Sequence, residues 1–343
     1  MDRMKGVVLT GHGGVEMLEW REDLPRPKPG LGEVLIRLGG AAVNNTDVNT
    51  RLAWYSKSGS DAADATWSGK PLEFPHIQGA DGCGTVVEAG PSADASLIGK
   101  RVLIEPCLRE FAGKVVEPFW YIGSEVPGTF AEYISVPARH AHVIDSSLSD
   151  VELASFACSY STAENMIVRT GAKAGERAIV TGASGGVGSA AVQLLVARGV
   201  SVTAVTSPSK ASALRDLGAT ECLGRDAKPE SESYDIAIDL AGGPGWPDLI
   251  AALKSGGRYA VAGAVAGADV SLDLRDLYLK DLSFFGCTRL GDGVFAGLVQ
   301  RIESGKIKPL VAKIFDLKDI RAAQTTFLER DHIGKIGLRI ADV

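Results

Sequence analysis

The sequence predicts an α/β protein in which a β-rich segment precedes a doubly wound parallel sheet. Short β-prone runs bounded by Gly and Pro fill residues 1–145. From Arg177 onward similar runs alternate with helical segments, and a glycine-rich turn joins the first of these strands to the first helix. Such alternation implies right-handed crossovers and a parallel sheet that helices cover on both faces. Two domains are expected in a chain of 343 residues.

The β-rich segment is predicted from five short runs. They are VVLTG (7–11), EVLIRL (33–38), GTVVEAG (84–90), RVLIEP (101–106) and AEYISV (131–136). Two other stretches are predicted to be irregular. LPRPKPGLGE (24–33) indicates a turn-rich connector, and residues 53–73, which are small and polar with little periodicity, indicate a long surface loop.

The second segment opens at Ser149, which stands three residues before Glu152 in the pattern of a capping box. Strands and helices then follow in turn. Strands are predicted at 177–182, 200–206, 234–242, 257–263, 282–287, 310–315 and 335–340, and helices at 187–199, 209–218, 247–257, 294–305 and 317–330. The tail after Asp292 is too short to form a domain of its own. Residues 1–148 and 292–343 are therefore predicted to form one domain, and residues 149–291 the other.

The charge and the cysteine content argue against several classes of function. The net charge is −6, so the basic surface that a nucleic acid or an anionic membrane requires is not expected. The five cysteines are scattered without a CxxC pair, which indicates reduced thiols. The N-terminus lacks the apolar region of a secretion signal, and no apolar run is long enough to span a membrane. These features predict a cytoplasmic protein whose partner is a small-molecule substrate.

The strongest motif is TGASGGVGSAAVQLL (181–195), which follows a predicted strand and opens a predicted helix. Glycines here allow the backbone to approach a pyrophosphate and the helix to pack close to the strand. The helix N-terminus offers unpaired N–H groups and a partial positive charge to the phosphates. Ala183 replaces the first Gly of GxGxxG, so a glycine-rich turn without a ligand is the alternative. The predicted cofactor contacts are Ala183, Ser184, Gly185, Gly186, Val187 and Gly188.

The end of the second strand of the parallel sheet distinguishes NADP from NAD. An NAD site places an acidic residue there, about 20 residues after the glycines. This chain has Thr206 and Ser207 instead, followed by Lys210. Hydroxyls and an ammonium group attract a 2′-phosphate, which a carboxylate would repel. The residues therefore predict NADPH as the cofactor, and the alternative is that Lys210 is a solvated helix residue.

Five segments in register carry a family resemblance. They are GEVLIRLGGAAVN (32–44), GADGCGTVVEAG (79–90), GTFAEYISVP (128–137), ASGGVG (183–188) and GRYAVAGA (257–264). Together they resemble the medium-chain dehydrogenase/reductase superfamily over essentially the whole chain, and most closely its zinc-free quinone oxidoreductase and enoyl reductase branch. The resemblance implies a GroES-like catalytic domain, a Rossmann domain, and an active site in the cleft between them. It also implies a homodimer that pairs along the sheet edge near strand 282–287.

Zinc-dependent members of this superfamily bind zinc with a Cys and a His from the first domain and a second Cys near the domain junction. By resemblance, Asn44 stands at the first of these positions and Ala80 at the second, and only Cys158 matches. Catalytic zinc needs about three protein ligands, so no metal site is expected. His140 and His142 share a face of a strand but have no evident third ligand, and are predicted to be ordinary strand residues.

Without zinc, another group must stabilise the charge that hydride transfer places on a substrate oxygen. NNTDVNTRLAWY (44–55) resembles the family segment that lines the cleft. The resemblance implies that Asn44 hydrogen-bonds the nicotinamide ribose or the substrate, that Thr46 orients a substrate oxygen, and that Tyr55 donates a proton. The alternative for Tyr55 is a packing role. Further cofactor contacts are predicted near the carboxyl ends of strands, at Gly242, Gly263 and Lys335.

These observations predict an NADPH-dependent oxidoreductase that transfers hydride to a quinone or an activated C=C bond without zinc. Two alternatives stay open. One is an alcohol dehydrogenase-like reductase of aldehydes and ketones, and the other is an NADPH-binding protein without catalytic activity.

Overall fold

In the computed structural model, which describes residues 2–56 and 66–340, the chain divides into two units. The first comprises Met1–Cys158 and Pro309–Val343, and the second comprises Ser159–Lys308. Both junctions lie further along the chain than the domain boundaries proposed from sequence. The reason at the first junction is that the helix opened by Ser149 packs on the sheet of the first unit.

The first unit is built mainly from strands. In chain order they are β1 (Arg3–Leu9), β2 (Leu18–Pro25), β3 (Glu33–Val43), β4 (Cys83–Ala89), β5 (Arg101–Ile104), β6 (Cys107–Phe111), β7 (Lys114–Tyr121), β8 (Tyr133–Pro137) and β9 (Ala141–Val143). Its helices before the first junction are α1 (Asn45–Arg51) and α2 (Asp150–Ala154). Helix α3 (Ala157–Thr170) begins at the end of this unit.

The second unit alternates strands and helices. They are β10 (Arg177–Val180), α4 (Gly186–Val196), β11 (Ser201–Val205), α5 (Ala211–Asp216), β12 (Glu221–Leu223), β13 (Tyr234–Asp239), α6 (Trp246–Ala251), β14 (Leu253–Val261), α7 (Leu274–Leu279), β15 (Ser283–Gly286) and α8 (Val294–Glu303). The strands form one parallel sheet in the order β12-β11-β10-β13-β14-β15. This is the doubly wound sheet that the alternation predicts, and strand order reverses between β10 and β13.

The tail of the chain adds β16 (Val311–Asp316), α9 (Ile320–Glu329) and β17 (Lys335–Arg339). Strand β17 pairs antiparallel with β3, with Ile336 opposite Val43, and so joins the tail to the sheet of the first unit. That sheet has the order β16-β17-β3-β4-β5-β9, and β8 also pairs with β3. Strand β3 lies at its centre and is buried on both faces except at Arg37.

Several elements escape the sequence patterns. Strand β2 reads LEWREDLP and pairs with β1 through its backbone although half of its side chains are charged. The β6–β7 hairpin, strands β9 and β12, and helices α1 and α7 are short, with no periodicity to mark them. Strand β14 begins at Leu253, inside the stretch predicted as helix 247–257. Of the loop predicted at 53–73, residues 57–65 lie outside the described chain.

His140 and His142 are not ordinary strand residues. His142 lies in β9, but His140 closes a short 3-10 turn before it, and both imidazoles hydrogen-bond the same oxygen of Glu105, at 3.2 and 3.1 Å. Burial of Glu105 opposes ionisation, yet the two histidines hold its pKa at about 2. The cluster is a buried structural network. No helix within the described residues is both long and apolar enough to cross a membrane.

Candidate active site and cofactor site

The glycine-rich turn lies between β10 and α4, as the motif predicts. Gly182 adopts the left-handed conformation, with φ +57°, and Gly185 precedes the first turn of α4 without a side-chain cap. A Cβ on Gly188 would lie 2.3 Å from the Gly182 carbonyl oxygen and 2.6 Å from the Ala183 Cα. No side chain fits at position 188. The uncapped start of this 11-residue helix leaves its first N–H groups available to a phosphate.

Ala183 fits at its position because the left-handed turn falls one residue earlier, at Gly182. Ala183 itself is fully buried, and its N–H donates to the carbonyl oxygen of Val205 at 3.2 Å. This hydrogen bond ties the turn to the end of β11. The imperfect GxGxxG motif therefore still forms a compact turn at the N-terminus of α4.

The end of β11 brings together the three residues predicted to select NADPH. Thr206 is buried, its N–H bonds to Leu223, and its hydroxyl has no hydrogen-bond partner. Ser207 directly precedes a short 3-10 turn that ends at the half-buried Lys210. A buried hydroxyl without a partner is costly, and a ligand oxygen would satisfy it.

The turn after β13 depends on Asp239, which the sequence patterns do not single out. One carboxylate oxygen accepts from the Thr181 hydroxyl at 2.5 Å and from the N–H groups of Ala241 and Gly242 at 2.9 and 3.1 Å. The other accepts from the Tyr259 hydroxyl at 2.7 Å. Asp239 thereby links the turns that follow β10 and β13. A polar residue closing the apolar run YDIAID was the available signal.

Gly242 lies just after β13 and Gly263 just after β14, as predicted. A Cβ on Gly242 would approach the Gly267 carbonyl oxygen to 2.4 Å, and one on Gly263 would approach the Leu240 carbonyl oxygen to 2.9 Å. Close backbone packing therefore accounts for both glycines. A cofactor contact at either position stays a prediction.

The first unit contains a buried ion pair at the junction of β3, β4 and β17. The ammonium of Lys335 contacts a carboxylate oxygen of Asp81 at 2.8 Å, and it also donates to the Val43 carbonyl at 2.9 Å and to the amide oxygen of Asn44. Lys335 is 2% exposed and Asp81 is 0% exposed. The three N–H groups of Lys335 are thus directed at protein oxygens.

This placement argues against two of the predicted roles. Lys335 was expected to reach a phosphate, but its position opposite the end of β3 buries it against Asp81. Asn44 was expected to bond the ribose or the substrate. Its amide nitrogen donates to Asp81 at 3.0 Å and to Ala42 at 3.3 Å, and its amide oxygen accepts from Lys335. The polar atoms of both side chains therefore bond other groups of the protein.

Helix α1 begins directly after Asn44 and presents Thr46 and Asp47. Asp47 accepts from the N–H of Asn44 at 2.8 Å, and burial raises its pKa to about 7. The Asp47 backbone carbonyl accepts from Gln78 at 2.9 Å. The Asp47 side chain therefore caps the helix.

An aromatic group surrounds the Thr46 hydroxyl. The indole N–H of Trp67 donates to Thr46 Oγ1 at 2.9 Å, and the Trp67 ring stacks on Tyr121 with ring centroids 4.2 Å apart. The Tyr55 ring meets the edge of Trp67 at 5.9 Å. Burial raises the pKa of the Tyr55 phenol, and contacts with Thr46 and Asn49 partly oppose that rise. Thr46 and Tyr55 thus both contact Trp67, and their catalytic roles stay predictions.

Trp67 and Tyr121 were missed from the sequence. Tyr121 closes β7, a strand that no pattern predicts, and Trp67 lies in the stretch interpreted as a polar loop. A large aromatic residue within that otherwise small and polar stretch was the available signal for Trp67.

Comparison with known proteins identifies the family. Residues 30–146 match the model of the alcohol dehydrogenase GroES-like domain, and residues 186–304 match the model described as zinc-binding dehydrogenase. A solved chain from Sinorhizobium meliloti 1021, provisionally described as an alcohol dehydrogenase, is 40% identical with a TM-score of 0.91, covering 99% of this chain and 97% of its own. The chain belongs to the medium-chain dehydrogenase/reductase superfamily.

Relatives within this superfamily differ in their described activities. The acryloyl-coenzyme A reductase of Metallosphaera sedula is 28% identical, covering 97% of this chain and 99% of its own. The human quinone oxidoreductase is 27% identical, covering 95% and 94%. The predicted family and fold class are thereby confirmed, and the chain is an oxidoreductase of a family that uses nicotinamide cofactors.

The residues of this superfamily member do not fit a catalytic zinc ion. The Lys335 ammonium bonds Asn44 and would repel a divalent cation, and Ala80 offers no donor atom. Of the three positions that the resemblance assigns to zinc ligands, only Cys158 carries a side chain that binds zinc, and catalytic zinc needs about three. Across residues 2–56 and 66–340, no group of three or more His, Cys, Asp or Glu side chains is arranged to hold a metal.

Proposed function

We propose that this oxidoreductase transfers hydride from NADPH to a quinone or an activated C=C bond without zinc. The observation that carries the proposal is the pair of neutral hydroxyl donors, Thr46 and Tyr55, beside a buried Asp81–Lys335 ion pair. Such a site stabilises charge on oxygen by hydrogen bonding. The relatives described as acryloyl-coenzyme A reductase and quinone oxidoreductase support the same reaction class.

The second unit supplies the groups that would hold the dinucleotide. The residues from Ala183 to Gly188 form the turn at the N-terminus of α4, which suits a pyrophosphate. Thr206, Ser207 and Lys210 are the groups that would receive a 2′-phosphate. When bound, the nicotinamide supplies the hydride.

In the first unit, Thr46 would donate a hydrogen bond to a substrate oxygen. Tyr55 would supply the proton that follows hydride addition, because a phenol stays neutral and able to donate near pH 7. Burial raises the pKa of Tyr55 further and keeps it protonated. Asn44, Asp81 and Lys335 would hold the start of α1 in place.

A panel of substrates tests this function. NADPH oxidation is followed at 340 nm with enones, enoyl thioesters, quinones, aldehydes and ketones. Turnover of enones or quinones above the rate with aldehydes and ketones supports the proposal. Preferential turnover of aldehydes and ketones would favour an alcohol dehydrogenase-like reductase, and tight NADPH binding without any turnover would favour a non-catalytic protein.

NADPH is expected to bind about 10- to 100-fold more tightly than NADH. A charge-assisted hydrogen bond contributes about 1.5–3 kcal/mol, and about 1.4 kcal/mol corresponds to a tenfold change in affinity. Fluorescence titration measures both dissociation constants. Lys210→Ala should remove most of the difference, whereas Lys306→Ala, at an exposed position of the same unit, should leave it unchanged. Equal affinities in the unaltered protein would refute the NADPH assignment.

A homodimer is expected to form at the β15 edge of the parallel sheet. Beside it on the chain, α7 exposes Leu274, Tyr278 and Leu279, which are 66%, 61% and 70% accessible. Exposed apolar side chains next to a sheet edge favour pairing with a second copy. Light scattering should give twice the mass of the chain, and Leu279→Asp should lower the measured mass toward that of one chain. A monomer at micromolar concentration would contradict this expectation.

A further inference from the structure

The contact between Trp67 and Thr46 has a fixed direction. The indole nitrogen lies 2.9 Å from Thr46 Oγ1, and it carries a proton but no lone pair to accept with. Thr46 must therefore accept at this contact. Its own hydroxyl proton is directed away from Trp67.

Several contacts hold Trp67 in this position. Its ring lies parallel to Tyr121 within 12°, with centroids 4.2 Å apart. The next residue, Ser68, donates its backbone N–H to Glu125 at 2.6 Å, and Thr66 bonds the Lys70 carbonyl at 2.9 Å. The indole N–H is therefore held on Thr46 by the surrounding chain.

Counting protons shows what this arrangement offers to a ligand. Trp67, Thr46 and Tyr55 contribute one proton each, and the contact between Trp67 and Thr46 uses the first of them. Asn49 also donates toward the Tyr55 oxygen, at 3.5 Å. Among the described residues, each hydroxyl oxygen thus accepts one hydrogen bond, and both hydroxyl protons are left to be donated to a ligand.

We propose that Trp67 is a positioning residue that makes the Thr46–Tyr55 pair a hydrogen-bond donor toward the substrate. The pair then suits an oxygen that only accepts, which is a carbonyl oxygen of an enone, quinone or thioester. The hydroxyl of the corresponding alcohol brings a proton of its own and finds few lone pairs to receive it. This inference rests on the proposed reductase function and names the oxygen that the site recognises.

Binding to the cofactor-loaded enzyme tests the proposal without turnover. The probes are cyclohex-2-enone with oxidised cofactor and cyclohex-2-enol with reduced cofactor, each titrated by calorimetry. Trp67→Phe keeps an aromatic ring against Tyr121 and removes only the N–H. It should weaken enone binding about three- to tenfold, as for loss of a neutral hydrogen bond, and leave enol binding unchanged. Trp54→Phe, at an exposed neighbour of Tyr55, is the matched control and should change neither.

A second variant separates positioning from packing. Thr46→Val should weaken enone binding, and adding Trp67→Phe to it should have no further effect, because Trp67 acts through Thr46. Equal losses for both probes, additive losses in the double variant, or failure of the unaltered enzyme to bind the enone would each overturn the inference. Enone binding without turnover would instead refute the proposed function and leave the positioning role intact.

Discussion

Lys335→Met is expected to lower the free energy of unfolding by about 3–5 kcal/mol. The substitution removes the ammonium and leaves the Asp81 carboxylate buried without its cation, which is the costly way to break a buried ion pair. Asn44 loses its hydrogen-bond donor at the same time. Urea unfolding followed by circular dichroism measures the change.

Two further variants sharpen this test of Lys335. Lys318→Met, at an exposed position before α9, should change stability by no more than about 0.5 kcal/mol. The double variant Asp81→Asn with Lys335→Met should recover part of the loss, because it removes the unpaired negative charge. A Lys335→Met protein as stable as the unaltered chain would contradict the buried ion pair.

Tyr55→Phe is expected to reduce turnover of an enone by at least about tenfold and to leave NADPH affinity unchanged. Hydride addition leaves a carbanion or oxyanion that must be protonated, and a positioned general acid contributes about 10²–10⁴-fold. The phenyl ring keeps the edge contact with Trp67 and loses only the hydroxyl. Steady-state kinetics of NADPH oxidation measures the effect.

Comparing an enone with a quinone shows whether Tyr55 donates a proton or only packs against the substrate. For a quinone the loss should be smaller, because water protonates a hydroquinone anion readily. Tyr133 lies in β8, with the Arg26 guanidinium over its ring. Tyr133→Phe should therefore leave the rates with both substrates unchanged. If the Tyr55→Phe enzyme reduces enones at the unaltered rate, the proton comes from water or from another group.

The fold followed from the sequence wherever hydrophobic periodicity was strong. Strands β10, β11 and β13 and helices α4 and α8 lie close to their predicted positions, because each buries a run or a face of apolar residues. The capping box at Ser149 was also correct. Strand β2 and the β6–β7 hairpin escaped because their pairing uses backbone hydrogen bonds that leave no pattern in the side chains.

The site was harder to predict because its members are distant in the chain. Lys335 meets Asp81 only when β17 pairs with β3, and local sequence at residue 335 carries no sign of that pairing. Trp67 likewise contacts Thr46 although the two residues are 21 positions apart in the chain. The glycine-rich turn was predictable because the close contacts that require glycine at position 188 are local, with Gly182 and Ala183.

The zinc content of purified, active enzyme tests the central claim most directly, because Asn44 and Ala80 stand at two of the three positions that the resemblance assigns to zinc ligands. Elemental analysis should find far less than one zinc ion per chain, and reduction of an enone or quinone should continue at full rate after incubation with a chelator. About one zinc ion per chain, with activity lost to the chelator and restored by zinc, would contradict the account.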